Sequence, residues 1–311
     1  MIILLDADIK VLITGASGFI GKHLCQALVD KGIRVVALSR RKQHVIATES
    51  YMLDLCNRDN VFSVIERLQP DYVVHLAAVK TRSVLPSDYH VAYEENFLAS
   101  LHLIEACQKV TSLKRFIYVG SCEEYGEQKL PFKEEQREKP TTAYGVSKLA
   151  VTQFLQTFTR SCNFPAIILR PSLVYGPGQG TEMFLPAMIQ AIVEKKLFPM
   201  THGEQTRDYL YVDDLVSAIE CALFKDSDLN GQLFNVSSGM PIQIKVLARM
   251  VARLIADDRE VLLGCGLQAY RAGEAMAYWA DNTRASKLLN WNPRVLLEDG
   301  LLKTIQAVEQ T

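Results

Sequence analysis

Tyr144 and Lys148 are a pair whose residue types and spacing could transfer a proton. They lie four residues apart in TTAYGVSKLAVTQFL, so on a helix they share one face. A phenol has an ordinary pKa of about 10, and lowering it by ~3 units requires ~4 kcal/mol of preferential stabilisation of the phenolate. A nearby ammonium and the positive ring of an oxidised nicotinamide have the required sign. The pair predicts proton transfer beside a hydride carrier; the alternative is a core tyrosine with an exposed lysine.

A glycine-rich turn near the N-terminus is a candidate site for that carrier. VLITGASGFIGKHL places three glycines directly after an apolar run and at the start of an amphipathic segment. Such glycines permit a tight turn, close approach of a pyrophosphate, and close packing of the helix on the sheet. The N-terminus of the helix also attracts phosphates. We therefore predict dinucleotide contacts at Gly15, Ser17, Gly18, Phe19, Ile20 and Gly21.

The end of the second predicted strand bears on which dinucleotide binds. An acid about 20 residues beyond the glycines would hold the ribose hydroxyls of NAD. LSRRK provides Ser39, Arg40 and Arg41 instead, and a guanidinium can bind a 2′-phosphate. The sequence therefore favours NADP over NAD; the alternative is that both arginines are solvated. Asp54 and Leu55, after the third strand, could flank the adenine, or Asp54 could simply end the strand.

Alternating strands and helices must position these groups. Near-continuous apolar runs are typical of strands buried on both faces of a parallel sheet, and they occur at 10–14, 34–38, 71–77, 115–120 and 166–170. Helical spacing between them predicts a doubly wound, Rossmann-type α/β fold. Later, 175–180 and 202–209 are predicted loops, 213–224 and 244–256 helices, and 232–238 a strand. We expect a dinucleotide-binding domain at 1–175, with 210–238 returning to it, and a smaller interleaved substrate domain at 176–311.

Composition argues against several classes of protein. The 311 residues are 49% apolar, and 34 basic and 35 acidic side chains are well mixed, which predicts neither a nucleic-acid nor a membrane partner. The segment MIILLDAD contains acids and no basic region, so we expect no secretory signal. The seven cysteines include no C-x-x-C pair, so neither a disulfide framework nor a metal site is expected. These features predict a cytoplasmic protein.

Several motifs together resemble those of a known family. TGASGFIG, HLAA, SCEEYG and YGVSK, in this order and with these separations, are similar to an extended short-chain dehydrogenase/reductase. More narrowly, they resemble the NAD-dependent epimerase/dehydratase family that acts on nucleotide sugars, and LRPSLVYGPG, GEQTRDYLYVDDL and FNVSSG extend the match along essentially the whole chain. The resemblance implies a nucleotide-sugar substrate and commonly a homodimer. It also implies dinucleotide contacts at Leu76, Ala77, Ala78 and Pro171, besides Tyr144 and Lys148.

The resemblance assigns roles around the reactive pair. Ser121, four residues before Tyr125, would hydrogen-bond the substrate oxygen with which Tyr144 exchanges a proton. Lys148 would hold the ribose and lower the pKa of Tyr144. The hydride would pass to or from the nicotinamide.

The two positions after the serine usually supply an acid and a base in the 4,6-dehydratases of this family. Here they are Cys122 and Glu123. A thiol with an ordinary pKa of about 8.5 is mostly protonated at neutral pH and could donate a proton, although a small buried filler is the favoured interpretation of Cys122. For Glu123, a base and an orienting hydrogen-bond acceptor are equal alternatives. Glu124 is expected to be solvated.

Substrate contacts are also implied by the resemblance. Arg207 and Arg271 stand where the family uses arginines to bind the substrate diphosphate, and arginine suits bidentate phosphate contacts. The alternative for each is a surface or interdomain ion pair. Lys80 and Thr81 are candidates to face the sugar, whereas His75 is expected to form hydrogen bonds at the end of its strand.

These features predict an NADP-dependent enzyme that oxidises or reduces a nucleotide-linked hexose at C4. We favour a 4-keto-6-deoxysugar reductase, because NADP suits a cofactor that enters reduced and leaves. The alternatives are a nucleotide-sugar 4-epimerase or a 4,6-dehydratase using Glu123 and Cys122. An alternative of another class is a non-enzymatic NADP-binding sensor or scaffold, against which the complete set of Ser121, Tyr144 and Lys148 argues.

Overall fold

The computed structural model describes residues 9–41, 45–80, 85–226, 228–271 and 273–310. The predictions for the N-terminal segment and for Thr81 lie outside these residues. The chain divides into two compact units. The first contains the described residues of 1–128, 134–170 and 216–234, and the second those of 129–133, 171–215 and 235–311.

The strands follow the chain in this order: β1 (Lys10–Thr14), β2 (Arg34–Ser39), β3 (Glu49–Met52), β4 (Tyr72–His75), β5 (Arg115–Val119), β6 (Ala166–Pro171), β7 (Leu173–Tyr175), β8 (Phe198–Met200), β9 (Thr206–Arg207), β10 (Tyr209–Tyr211), β11 (Leu233–Val236), β12 (Ile242–Gln243), β13 (Leu263–Cys265) and β14 (Ala277–Tyr278). The α-helices are α1 (Phe19–Val29), α2 (Arg58–Leu68), α3 (Pro86–Ala92), α4 (Ala99–Gln108), α5 (Ala143–Cys162), α6 (Phe184–Val193), α7 (Val212–Phe224), α8 (Ile244–Ile255) and α9 (Leu297–Glu309). None of them, over the described ranges, has the length and apolar character needed to cross a membrane.

The central sheet has the strand order β3-β2-β1-β4-β5-β6-β11. β1 pairs in parallel with both β2 and β4, and β5 pairs in parallel with β4 and β6. The order reverses between β1 and β4, and ligands of open α/β sheets bind at such a reversal, beyond the carboxyl ends of the strands. The predicted Rossmann-type fold is confirmed.

One hydrophobic cluster of the first unit lies between one face of the sheet and α2, α4 and α5. Alternate strand residues, such as Val36 and Leu38 on β2 or Phe116 and Tyr118 on β5, belong to one buried cluster, because side chains two positions apart point to the same face of a strand. Each large apolar side chain buried in this way contributes about 1.5–3 kcal/mol relative to exposure. The helices complete the cluster with Val61, Ile65, Leu103, Ile104, Val151 and Leu155.

Helix α5, which carries the reactive pair, has defined ends. The Thr142 side chain accepts a hydrogen bond from the Gly145 N–H at 3.0 Å, which satisfies a donor that the first turn leaves without an intrahelical partner. Asn163, in the left-handed region at φ 53°, ends the helix. Between them, buried positions recur at helical spacing, and this fixes which face of α5 meets the core.

The second unit contains short strands that sequence patterns did not show. The prediction that 202–209 forms a loop is wrong at the end of that segment, because β9 and the first residue of β10 lie within it. β9 pairs antiparallel with β12 and parallel with β14. Two-residue strands such as β9 are too short for a local pattern and depend on distant partners. The helices predicted at 213–224 and 244–256 are confirmed as α7 and α8.

Candidate active site

The turn between β1 and α1 is packed tightly against neighbouring backbone. Gly15 lies at φ +68°, and a Cβ there would be 2.8 Å from the Ala77 N atom. A Cβ on Gly21 would be 2.3 Å from the Gly15 carbonyl oxygen. Gly18 differs, since a Cβ there would meet only that same oxygen, at 3.1 Å. Gly18 also caps α1 without a side-chain hydrogen bond, so the helix N-terminus stays available to an anion. The residues of the turn therefore fit a dinucleotide.

A cleft of about 300 Å³ opens beside this turn. Eleven of the predicted dinucleotide contacts line it: Gly15, Ser17, Gly18, Ser39, Arg40, Arg41, Asp54, Leu55, Leu76, Ala77 and Ala78. The other predicted contacts do not line it, namely Phe19, Ile20, Gly21, Tyr144, Lys148 and Pro171. Sequence reasoning missed further lining residues, among them Thr14, Val79 and Glu95.

Glu95 places an acid against the arginine expected to bind a 2′-phosphate. The Arg40 guanidinium forms an ion pair with the Glu95 carboxylate, and the two side chains are 53% and 32% exposed. Glu95 lies in a π-helical segment, Tyr93–Leu98, that precedes α4. Because 55 residues separate the partners, no local pattern indicated the pair.

Ser121, Tyr144 and Lys148 meet in the first unit. Ser121 follows β5, and its hydroxyl lies close enough to Tyr144 on α5 to lower the pKa of that phenol. The Lys148 Nζ atom lies 6.0 Å from the centroid of the Tyr144 ring and 4.5 Å from that of Tyr118. Lys148 is only 2% exposed. The structure thus brings together the three residues that the family resemblance connects.

In the protein without a bound dinucleotide, the pKa of Tyr144 is raised and that of Lys148 is lowered. Burial, followed by the charges of Glu123 and Glu124, raises the pKa of Tyr144 above its ordinary value, while the neighbouring Ser121 hydroxyl acts in the opposite direction. Burial favours the neutral phenol in the protein alone, so the lowering of this pKa by Lys148 and an oxidised nicotinamide stays a prediction. Burial also lowers the pKa of Lys148 to about 8, with Glu124 opposing the change. Lys148 stays largely protonated at neutral pH.

Lys80 and Glu123 form an ion pair beside the reactive phenol. The Lys80 Nζ atom lies 2.8 Å from Glu123 Oε1 and 5.4 Å from the centroid of the Tyr144 ring. The Thr142 hydroxyl donates to Glu123 Oε2 at 3.3 Å. Glu123 and Lys80 are 23% and 38% exposed, so both groups remain accessible to a ligand.

Cys122 and Glu124 point away from solvent. Cys122 is 0% exposed, and its thiol donates to the Arg170 carbonyl oxygen at 3.3 Å, which matches the packing interpretation. The expectation that Glu124 is solvated is wrong. Glu124 is 0% exposed because the equally buried Arg170 guanidinium pairs with its carboxylate at 2.7 Å.

His75 links the glycine turn to α4 as a hydrogen-bonding residue. Its Nδ1 lies 2.6 Å from the Thr14 hydroxyl, and its Nε2 lies 2.8 Å from the Ser100 hydroxyl. Burial lowers the pKa of His75 to about 3, so the imidazole is neutral. The predicted hydrogen-bonding role at the strand end is confirmed.

Both candidate diphosphate-binding arginines lie in the second unit, around Glu274. Arg207 forms an ion pair with Glu274 at 2.6 Å and is 14% exposed. The backbone N–H of Glu274 donates to the Arg271 carbonyl oxygen at 3.0 Å. The ion-pair alternative is thus realised for Arg207, whereas the Arg271 side chain is exposed.

The glycine turn, the cleft beside it and the Ser121–Tyr144–Lys148 cluster all lie in the first unit, and these features fit an enzyme of the extended short-chain dehydrogenase/reductase class. The model of the NAD dependent epimerase/dehydratase family matches residues 11–237. The chain belongs to this family of enzymes, so the resemblance found in the sequence is confirmed.

Individual relatives cover nearly the whole chain. The uncharacterized UDP-glucose epimerase YtcB of Bacillus subtilis (strain 168) is 30% identical, over 95% of this chain and 96% of that protein. The dTDP-D-glucose 4,6-dehydratase of Homo sapiens is 27% identical, over 96% and 89%. The crystal structure of UDP-glucuronic acid 4-epimerase from Bacillus cereus, in complex with UDP-glucuronic acid and NAD, has a TM-score of 0.86 and 28% identity, over 97% of this chain and 99% of that one.

Proposed function

We propose that this protein is a nucleotide-sugar 4-epimerase that reversibly oxidises the C4 hydroxyl of a hexose. The observation that carries the proposal is the convergence of Ser121, Tyr144 and the buried Lys148 in the first unit. That cluster lies in the same compact unit as the glycine turn. The substrate class follows from relatives that act on UDP- and dTDP-linked sugars.

The chain's own residues handle the proton. A bound nicotinamide dinucleotide supplies hydride acceptance and return and, when oxidised, a positive charge that offsets the raised pKa of Tyr144. The Tyr144 oxygen accepts the proton of the C4 hydroxyl as the C4–H bond breaks, and the Ser121 hydroxyl donates to the same sugar oxygen. Lys148, largely protonated below its pKa of about 8, stabilises the phenolate. Tyr144 returns the proton when hydride adds to the other face of the C4 ketone.

A 4,6-dehydratase is the second candidate, and Glu123 is the observation that favours it. Its accessible carboxylate lies beside Tyr144, where a base could promote loss of water after oxidation at C4. The buried Cys122 thiol is engaged with a backbone carbonyl, which makes it a poor acid for the leaving hydroxyl. We therefore place the epimerase first.

We infer that NAD, rather than NADP, is the working dinucleotide. The ion pair with Glu95 competes with a 2′-phosphate for Arg40, and the Bacillus cereus relative was crystallised with NAD. The absence of an acid at the end of β2 still favours NADP, so the NADP preference is open to direct measurement. The 4-keto-6-deoxysugar reductase depended on that preference, and it loses support with it.

We further propose substrate, assembly and compartment properties that follow the family. Arg207 and Arg271 would bind the diphosphate of the substrate. Arg207 would then leave its ion pair with Glu274 or contact both groups at once. A homodimer is supported by exposed apolar side chains at Tyr89, Val91 and Val146, and sedimentation velocity tests it. The cytoplasmic location stays a prediction from the sequence.

The experiment uses UDP-glucose, UDP-glucuronate and dTDP-glucose as substrates for the purified protein with added NAD. An epimerase converts one of them to its C4 epimer, detectable by proton NMR. Tyr144→Phe removes the acid–base group and lowers the rate by about 10²–10⁴-fold. Tyr89→Phe, an exposed tyrosine on α3, keeps the wild-type rate. Equal rates for Tyr144→Phe and wild type would refute the proposal, and a 4-keto-6-deoxy product would favour the dehydratase.

A further inference from the structure

The carboxyl group of Glu124 accepts hydrogen bonds from three other residues. Its Oε1 accepts from the backbone N–H of Ser121 at 2.9 Å. Its Oε2 accepts from the Thr152 hydroxyl at 2.8 Å and from Arg170 Nε at 2.8 Å. Glu124 and Arg170 are both 0% exposed. The buried guanidinium and the hydrogen-bond donors compensate the carboxyl group for its lost hydration.

These contacts join three elements that must hold a fixed geometry for proton transfer. Ser121 follows β5, Thr152 lies on α5 with the reactive pair, and Arg170 lies on β6. The backbone provides space for the carboxylate at Gly120, where a Cβ would be 2.3 Å from Glu124 Oε1. Through Thr152, the carboxylate ties the serine backbone to the helix that carries Tyr144 and Lys148.

We propose that Glu124 is a positioning residue of the reactive site, which fixes Ser121 against α5 and places its carboxyl group close to Tyr144 and Lys148. The inference deepens the proposed function and rests on it for the turnover measurements. It assigns no contact with substrate or dinucleotide to Glu124.

The charge acts on the groups that surround it. Arg170 approaches from β6, Tyr118 from β5, and Tyr144 and Lys148 from α5. Glu124 raises the pKa of Tyr144 and also that of Lys148, so it favours the neutral phenol and the ammonium at the same time. Loss of the charge should therefore lower both pKa values.

The test variant is Glu124→Gln, which keeps the size of the side chain and its carbonyl acceptor but removes the charge. We expect kcat to fall by about 10-fold or more while KM changes by less than about 3-fold, because positioning acts on the chemical step. We also expect both limbs of the pH–rate profile to move to lower pH by about 0.5–1 unit. A residue that only stabilises the fold would lower activity without moving the limbs.

Glu138→Gln is the matched control. Arg170 Nη2 also donates to Glu138 Oε1 at 2.7 Å. Unlike Glu124, Glu138 accepts no hydrogen bond from Ser121 or Thr152 among the described contacts. Its pH–rate limbs should stay at the wild-type position, and an equal shift in both variants would overturn the proposal. If Glu124→Gln does not fold, the double variant Glu124→Gln/Arg170→Met removes both buried charges together. Because the two charges act in opposite directions on their neighbours, the limbs should move less than in Glu124→Gln, but kcat should still fall with little change in KM. An unchanged kcat in this double variant would overturn the proposal.

A readout that needs no turnover separates this inference from the proposed function. Labelling lysine with ¹³C at Cε allows Lys148 to be titrated by NMR, with its resonance assigned by its loss in Lys148→Met. The wild-type midpoint should lie near 8, and Glu124→Gln should lower it. An unchanged midpoint would overturn the proposal even in an active enzyme. If instead the wild type converts no nucleotide sugar but the midpoint shifts, only the proposed function fails.

Discussion

At Arg40, the choice between two dinucleotides depends on one competing carboxylate. The guanidinium faces the cleft and is held by Glu95. To bind Arg40, a 2′-phosphate would have to displace the Glu95 carboxylate or share the guanidinium with it. The competing charge-assisted hydrogen bond is worth about 1.5–3 kcal/mol. The ion pair is partly exposed, so solvent weakens it. We therefore expect Glu95 to disfavour the binding of NADP.

Glu95→Gln is expected to shift the ratio of the two affinities. Removal of the carboxylate frees Arg40 for a 2′-phosphate, so the NADP affinity should rise about 10-fold relative to that of NAD. Glu105→Gln is the control, because Glu105 also pairs with an exposed arginine, Arg58, outside the residues that line the cleft. Calorimetric titration measures both affinities. A wild type that already prefers NADP 10-fold, or a ratio unchanged by Glu95→Gln, contradicts this role.

The reactive residues were accessible to sequence reasoning, while the residues that tune them were not. Tyr144 and Lys148 share a helix face at a spacing visible in the sequence, and Ser121 was identified by family resemblance. Glu95 and Glu124 act on partners 55 and 46 residues away, and nothing near them in the sequence indicates those partners. Glu124 was taken for a solvated acid because burial of a carboxylate depends on Arg170, which lies on another strand.

At the scale of the elements, the glycines of the turn between β1 and α1 have two different roles, close packing of the helix and space for a ligand. Gly21 brings α1 against the turn, since a Cβ there would be 2.3 Å from Gly15 O and 2.7 Å from Ala16 Cα. These are backbone atoms that cannot move without displacing the turn. A Cβ on Gly18 would meet one neighbouring atom, the Gly15 carbonyl oxygen at 3.1 Å, so we expect an added methyl group to interfere mainly with the predicted pyrophosphate.

We therefore expect Gly21→Ala to lower the stability of the fold and Gly18→Ala to lower the affinity for the dinucleotide. Gly21→Ala should lose about 1–3 kcal/mol of unfolding free energy through overpacking, measured as a lower thermal midpoint without nucleotide. Gly18→Ala should keep a midpoint within about 1 °C of wild type, since a relaxed contact costs only tenths of a kcal/mol. Its affinity for NAD should fall about 10-fold. Greater destabilisation by Gly18→Ala than by Gly21→Ala would contradict this division.

The elements themselves were predictable where the pattern was long. The parallel strands β1, β2, β5 and β6 correspond to continuous apolar runs, because both faces of the sheet are buried. Strand β9 was missed because its two residues depend on β12 and β14 for hydrogen bonds. Tertiary pairing, rather than local preference, determines such short strands.

For the whole molecule, burial of an uncharged imidazole makes stability depend on pH. His75 has a pKa of about 3 in the folded protein against an ordinary value of 6.5. Between these values the unfolded chain binds a proton that the folded protein does not. Linkage then requires the free energy of unfolding to decrease as pH falls from 6.5 towards 3.

The expected slope from His75 is at most about 1.4 kcal/mol per pH unit. His75→Asn, which can still form hydrogen bonds, should unfold more easily at neutral pH but show a shallower fall of thermal midpoint between pH 6.5 and 4.5. His90→Asn, at an exposed position on α3, should keep the wild-type slope. Equal slopes for His75→Asn and wild type would show that other groups control acid stability.

The most direct test of the central claim follows a deuterium atom placed at C4 of the accepted nucleotide sugar. If Tyr144, Ser121 and Lys148 support reversible oxidation at C4, the deuterium should be found at C4 of the epimer, with inverted configuration, and Tyr144→Phe should form this product at least about 10²-fold more slowly. NMR and mass spectrometry of the product locate the label. Deuterium recovered only at C4 with the original configuration, from folded protein saturated with NAD, would contradict the account.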